Sequence, residues 1–354
     1  LPIKVLIVDD SAIVRDVLST KLAQYPDIHV VGVAPDPFIA RDKIVQLQPD
    51  VITLDIEMPR MDGLTFLERL MSYFPLPVII VSSVTTDDRH AAIKALEIGA
   101  FDVVNKPGGA ISVGDIIDEI VYKVRQAYEV RASFTARRKA VSSQYGAAAR
   151  PAPIASGVLG TVKTTDKLLC IGASTGGTVA LEYLVKQFPA QLPPVMVVQH
   201  MPPGFTRQFA DRLDTLSLLT IVEAGNGELL SPGTMYIAPG GWHLEVERRG
   251  ASLYTRLTNA ERVHFQRPAV DVLFQSAAQT LGRNVAAALL TGMGRDGADG
   301  LLALKQAGAR TIAQDEASSV VWGMPKAAID IGASGEVLAL DRIAGRLTSL
   351  VAEL

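Results

Sequence analysis

Leu168–Phe188 reads LLCIGASTGGTVALEYLVKQF: a short apolar run, a turn rich in Gly, Ser and Thr, then apolar residues three and four apart. A bulky run closed by turn residues is a buried strand, and the 3.6-residue period after it is a helix. The stretch is therefore a strand–turn–helix unit, the building block of a parallel α/β sheet. Its turn, Gly172–Gly176, fits G-x-S-x-G, which sets a serine on a strand-to-helix elbow. A glycine-rich turn ahead of a helix also suits a phosphate, so the rest of the chain must separate the two readings.

The same alternation runs outward in both directions. On the N-terminal side KVLIV, HVVGV, DVITL, PVIIV and FDVVN read as buried strands. Amphipathic segments separate them, and GDIIDEIVYKVRQAYEV follows as a last helix. Five strands alternating with five helices predict a parallel sheet covered on both faces. After Lys167 come LLCIG, PVMVVQ with FTRQFADRLDTL, and VAAALLT with DGADGLLALKQAG. From Thr234 to Thr258, MYIAP, WHLEVE and SLYTRL are cut by turn signals and predict antiparallel strands set into the α/β core. Between the halves, FTARRKAVSSQYGAAARPAPIASG lacks an apolar period and reads as a linker, semi-extended at Pro151 and Pro153, with Arg137-Arg138-Lys139 as solvated charge. The fold class is α/β, with two doubly wound parallel-sheet domains over residues 1–130 and 164–354, a linker over 131–163, and an antiparallel hairpin insertion in the larger second domain.

Composition narrows the function classes. The chain has 354 residues, enough for two cores, and 48% of them are hydrophobic. A net charge of -3 gives no footprint for nucleic acid, and no helix-turn-helix pattern or basic stripe stands in the second half. No apolar run reaches the roughly 18–20 residues of a membrane span, and no leader pattern precedes the first strand. One Cys allows no internal disulfide, and Cys170 inside LLCIG reads as a buried structural thiol. The expectation is a cytoplasmic protein without direct membrane insertion.

Four chemical features stand at the carboxyl ends of the N-terminal strands: Asp9-Asp10, Asp55, Ser82 and Lys106-Pro107. In an open parallel sheet those ends share one crevice. Three carboxylates gathered there call for a cation, and carboxylate oxygens suit Mg²⁺. Asp55 on the central strand is then an acyl-phosphate acceptor, with Mg²⁺ and the Lys106 ammonium offsetting phosphoryl charge and the Ser82 hydroxyl bonding a phosphoryl oxygen. Taken singly, Asp10-Ser11 is also a helix cap and Lys106 a surface cation; four features at four matching strand ends are not explained by capping.

VLIVDDS, LDIEMPRMDG and VNKP make residues 3 to about 130 resemble the receiver domain of bacterial two-component response regulators. The resemblance implies a flavodoxin-like (βα)5 fold, with Asp55 as the phosphorylation site. It also implies Asp10 and Asp55 as Mg²⁺ ligands with Asp9 close by and the Glu57 carbonyl contributing. Ser82 and Lys106 become switch residues, and the phosphoryl donor a sensor histidine kinase.

In the second half a nucleophilic Ser174 needs a base, and His200, His243 and His264 are available. His200 ends PVMVVQ and so shares the sheet edge with Ser174, whereas His243 falls in the antiparallel insertion and His264 in a loop. Asp296, just beyond VAAALLT, supplies the orienting acid from a third strand end. The chain order Ser…His…Asp differs from the Ser…Asp…His of α/β-hydrolases. A rival reading takes Gly292–Gly297 as the G-x-G-x-x-G of a dinucleotide fold, with Asp315-Glu316 as its ribose acid. Against it, Asp296 puts a carboxylate where a pyrophosphate would sit.

IGASTGG, VQHMPPGFT, RPAVDVLFQSAA and LLTGMGRDGADG make residues 166 to about 350 resemble the catalytic domain of the chemotaxis methylesterases. The resemblance implies Ser174 as nucleophile, His200 as general base and Asp296 as its partner, with backbone at Met293 and Thr175 as oxyanion donors. It implies phosphorylation-activated hydrolysis of glutamate methyl esters, and deamidation of selected glutamines, on methyl-accepting chemoreceptors, with no cofactor for the esterase step. One departure stands out: Gln266 occupies a position where the family pattern has His before Arg-Pro. The alternatives are a non-catalytic receptor-binding or scaffold module, or an esterase serving a non-chemotaxis sensory array.

Overall fold

The computed structural model describes residues 1–82, 86–106, 113–146 and 166–354. The chain divides into two compact units, Leu1–Arg138 and Lys139–Leu354.

In the first unit, strands β1 (Ile3–Val8), β2 (Ile28–Ala34), β3 (Val51–Leu54), β4 (Val78–Ser82) and β5 (Asp102–Asn105) alternate with helices. The helices are α1 (Ala12–Leu22), α2 (Pro37–Leu47), α3 (Gly63–Tyr73), α4 (Thr86–Ile98) and α5 (Val113–Val141). The strands form one parallel sheet in the order β2-β1-β3-β4-β5, as their apolar runs predict. Helix starts carry local signals: Asp36 accepts the Phe38 and Ile39 amides ahead of Pro37, and Asp62 accepts that of Thr65. Ser11 caps α1, accepting the Val14 amide, so the capping reading of Asp10-Ser11 holds for the serine.

The linker reading fails at its start. Helix α5 continues past Arg131 to Val141 and ends in a π-helical turn over Ser142–Gly146. Its apolar positions there are sparse, with Phe134, Val141 and Tyr145 as the buried ones, so no sustained period is visible. The two aromatic ones find partners of size: Phe134 meets Phe101 edge-on at 5.3 Å, and Tyr145 meets Tyr183 at 4.9 Å. Arg131 stacks over the Tyr128 ring and bridges to Asp50 at 3.3 Å. Pro107, Pro151, Pro153 and the remainder of the linker lie outside the described residues.

The second unit holds β6 (Leu168–Ala173), α6 (Gly177–Val185), β7 (Val195–Gln199), α7 (Phe205–Asp214), β8 (Thr220–Glu223), β9 (Thr234–Ile237), β10 (His243–Arg249) and β11 (Ser252–Thr258). It continues with α8 (Val270–Leu281), β12 (Val285–Leu289), α9 (Ala298–Gln306), β13 (Arg310–Gln314), α10 (Met324–Asp330), β14 (Glu336–Leu338) and α11 (Leu340–Glu353). Seven strands pair in parallel in the order β14-β13-β12-β6-β7-β9-β8. The antiparallel hairpin is present as β10–β11, a two-stranded sheet of its own. MYIAP is not part of it: β9 pairs in parallel with β7 and β8 inside the main sheet, and Met235, Tyr236 and Ile237 are buried. A strand's partner is a tertiary choice that its own alternation does not record. Leu168, Cys170, Met196 and Val198 from the sheet share one core with Leu273 and Phe274 of α8 and Leu244 and Val246 of the hairpin. Burial pushes the Cys170 thiol far up, consistent with a structural role.

Candidate active site and phosphoacceptor site

The order β12-β6-β7 makes β6 the strand at which the second sheet reverses its winding, where ligand crevices open. Ser174 follows β6, His200 follows β7 and Asp296 lies in the loop after β12. The Ser174 hydroxyl faces His200 Nδ1 at 3.0 Å, and His200 Nε2 lies 2.7 Å from Asp296 Oδ2. With Asp296 ionised, Nε2–H donates to it and Nδ1 is left to accept the serine proton. The three side chains predicted from the sequence do converge.

Backbone bonds hold each in place. The Ser174 N–H donates to the Thr291 carbonyl at 3.0 Å, and the His200 N–H to the Ala173 carbonyl at 3.1 Å. Gln199 donates from Nε2 to the Ser174 carbonyl at 3.0 Å, beneath the elbow. Residue 292 must be glycine, since a Cβ there would stand 2.8 Å from Ser174 Cβ and 2.2 Å from Met324 Sδ. Asp296 Oδ2 accepts the Val270 N–H at 2.7 Å and Oδ1 the Asp271 N–H at 3.0 Å, both from the first turn of α8. Burial opposes the Asp296 charge, but the His200 contact and those two amides outweigh it and hold the carboxyl below its ordinary value.

The Thr175 and Met293 amides have no hydrogen-bond partner among the described residues; Thr175 follows Ser174 in the chain, and Met293 follows Gly292, which packs against Ser174. The rival histidines are otherwise engaged. Buried His243 donates from Nε2 to the Glu261 carbonyl and accepts the Ala269 N–H at Nδ1, and burial pushes its pKa down. His264 faces Asp271 at 3.2 Å. Gln266 closes a tight turn by exchanging backbone hydrogen bonds with Val263. The dinucleotide reading of Gly292–Gly297 loses its ground: the Gly292 amide donates to Val321, and Asp296 is committed to His200 and α8. Asp315 binds Ser318. Sequence reasoning missed Val270, Asp271, Gln199 and Thr291 as supports. RPAVDVLF just ahead of and into a helix was the available signal for the first two.

The first unit gathers Asp9, Asp10 and Asp55 so that one carboxylate oxygen of each lies within 4.8 Å of the others. Asp9 and Asp55 are buried, and Lys106 Nζ reaches them at 3.1 and 2.7 Å. Burial pushes Asp55 up to about 6 against the pull of that ammonium, and raises Asp9 as well. The two carboxylates lift Lys106 above its ordinary value despite desolvation. Ser82 ends β4 beside Asn105, its carbonyl accepting the Lys106 N–H, and the Glu57 N–H donates to Asp55 Oδ1 at 3.3 Å. A cleft of about 540 Å³ lined by Asp10, Glu57, Met58 and Asp62 adjoins this cluster. Three carboxylates against one ammonium, offering only oxygen donors, fit a hard divalent cation such as Mg²⁺.

Comparison with known proteins matches these two sites to two families. Residues 5–118 match the response regulator receiver domain, and residues 169–347 the CheB methylesterase family. The chain is 50% identical over 349 residues to protein-glutamate methylesterase/protein-glutamine glutaminase 2 of Syntrophus aciditrophicus, covering 99% of each chain. It is 48% identical over 347 residues to the protein of the same name from Pseudomonas aeruginosa, covering 98% of this chain and 96% of that one. The crystal structure of the Thermotoga maritima CheB methylesterase catalytic domain matches 53% of this chain and 100% of that one, at 41% identity and a TM-score of 0.52. Over its full length, then, the chain belongs to the chemotaxis response-regulator family of protein-glutamate methylesterase/protein-glutamine glutaminases, a receiver domain followed by a CheB methylesterase domain.

Proposed function

We infer that this chain hydrolyses glutamate methyl esters, and deamidates selected glutamines, on bacterial chemoreceptors by a Ser-His-Asp mechanism under phosphorylation control. The observation that carries the reading is the line Ser174–His200–Asp296, at 3.0 and 2.7 Å, at the strand-reversal point of a CheB-type domain. Ser174 Oγ attacks the γ-carbonyl of the ester as its proton passes to His200 Nδ1. The Thr175 and Met293 amides then receive the oxyanion. His200 then protonates the leaving group, which departs as methanol or, in the glutamine reaction, as ammonia, and returns to activate the water that opens the acyl-enzyme. Asp296 keeps the imidazole in the accepting tautomer.

In the receiver, Asp55 accepts the phosphoryl group from a chemotaxis histidine kinase. Asp10, Asp55 and the Glu57 carbonyl, with Asp9 beside them, hold Mg²⁺, which when bound offsets phosphoryl charge. Lys106 contributes the protein's own cation, and Ser82 a hydroxyl for a phosphoryl oxygen. The unphosphorylated receiver restrains the esterase, and a phosphoryl group on Asp55 releases it. That control requires an interaction whose energy differs between the two phosphorylation states. Methanol release from methylated receptor membranes tests the reading: release that Ser174→Ala abolishes supports it, and stoichiometric receptor binding without methanol would favour a scaffold instead.

A further inference from the structure

The RPAVDVLF segment supplies the amides behind Asp296, yet one of its side chains has no part in the Ser174–His200–Asp296 line. Asp271, in the first turn of α8, is 2% exposed. Its Oδ1 accepts the Gly300 N–H of α9 at 2.6 Å, and its Oδ2 lies 3.2 Å from His264 Nε2. The helices approach this closely because residue 300 is glycine: a Cβ there would stand 2.7 Å from Phe274 Cβ and 3.0 Å from the Asp271 carbonyl oxygen. One residue thus holds the Asp296 loop by its amide and the first turn of α9 by its carboxylate.

Two buried carboxylates share this corner, and their surroundings separate them. Asp296 takes two amides and an imidazole and stays low despite burial. Asp271 takes one amide, and burial together with the Asp296 charge pushes it up to about 6. The titratable groups facing Asp271 are Asp296, Asp299 of α9 and His264 of the 263–266 turn. Arg295 bridges Asp299, and His243 of β10 reaches the same corner through the Ala269 amide. Environments that pull paired acids apart divide roles between them.

We propose that Asp271, with His264 as its side-chain partner, is a positioning residue of the esterase: it fixes Asp296 from behind, and its charge governs how readily the Asp296–His200 pair holds a proton. The proposal rests on the Ser-His-Asp reading above. Asp271→Asn keeps an oxygen for the Gly300 N–H, removes the charge and turns an NH₂ toward His264. Losing a buried negative charge makes the protonated pair less favourable, so the acid limb of the rate profile moves to lower pH. His264→Gln keeps a donor but loses the pull by which His264 lowers the Asp271 carboxyl, so Asp271 takes up its proton more readily and the limb moves the same way, by less.

The experiment is methanol release from methylated receptor membranes between about pH 5 and about pH 9, with full-length wild type, Asp271→Asn, His264→Gln and Ser174→Ala. Expected for Asp271→Asn are a kcat roughly 10-fold lower, a KM within about 2-fold, and an acid limb displaced downward that follows one ionisation. His264→Gln changes a half-exposed side chain, so it reports even where Asp271→Asn folds poorly. Ser174-dependent release with both limbs unmoved overturns this proposal alone, even where rates fall with thermal stability. Release that survives Ser174→Ala overturns the Ser-His-Asp reading and this proposal with it.

Discussion

Asp296 remains an anion in a buried site because three N–H groups converge on its two oxygens, from His200, Val270 and Asp271. Replacing it by Asn offers an NH₂ where donors already point and favours the imidazole tautomer that cannot take the serine proton. Asp296→Asn should therefore lower kcat by on the order of 10³–10⁴-fold, with KM little changed, in steady-state methanol assays. The receiver makes a contrasting prediction. Burial raises Asp55 to about 6, so the folded state holds that proton more tightly than the unfolded chain. The associated stability is present below the ordinary carboxylate range and is lost as pH rises through about 6. In EDTA at neutral pH, Asp55→Asn should raise the receiver's melting temperature by about 5 °C, and added Mg²⁺ should narrow the gap. An equal or lower melting temperature for the variant in EDTA would contradict the account of an under-compensated site. At this scale much was legible: Ser174, His200 and Asp296 each end or follow a recognisable strand, and chain order set the family apart from α/β-hydrolases. Asp271 was not legible, because its partners at 264, 296 and 300 meet only through the packing of two helices and a turn.

Among elements, α8 matters more for its first turn than for its length. Two of its otherwise unpaired N-terminal amides are directed at Asp296, where the helix dipole favours negative charge. Proline is tolerated at the first helical position and Ala269 already has extended backbone, so Val270→Pro should keep the helix while deleting one donor. The expected loss in kcat is roughly 10- to 100-fold, the equivalent of about 1.5–3 kcal/mol for a hydrogen bond to a charged group. Unchanged kcat with unchanged circular dichroism would show that amide to be dispensable. The strands that carry the sites were legible because burial on both faces writes itself as unbroken apolar runs. Two elements were not. The parallel pairing of β9 depends on β7 and β8 across the sheet, and the last turns of α5 rest on widely spaced anchors such as Phe134 and Val141. The α11 helix, Leu340–Glu353, also went unread, although its buried face is plain once Leu340, Ile343, Ala344, Leu347 and Leu350 are seen together.

In the whole molecule, the Asp9–Asp10–Asp55 cluster lies in one unit and the Ser174–His200–Asp296 line in the other. No helix among the described residues is long and apolar enough to cross a membrane. Control of one site by the other then predicts a specific pattern in the full chain. A small phosphodonor with Mg²⁺ should raise wild-type methanol release, and Asp55→Asn should release methanol at a rate that the phosphodonor leaves unchanged. A response to phosphodonor that persists in Asp55→Asn would place the switch elsewhere. The glycine-rich turn at Ser174 is the point on which all of this depends, and one measurement addresses it most directly: methanol released from methylated receptor membranes by the full-length chain and by its Ser174→Ala variant. Release by the wild type with none above background from the variant is the predicted result, and equal release by the two would contradict it.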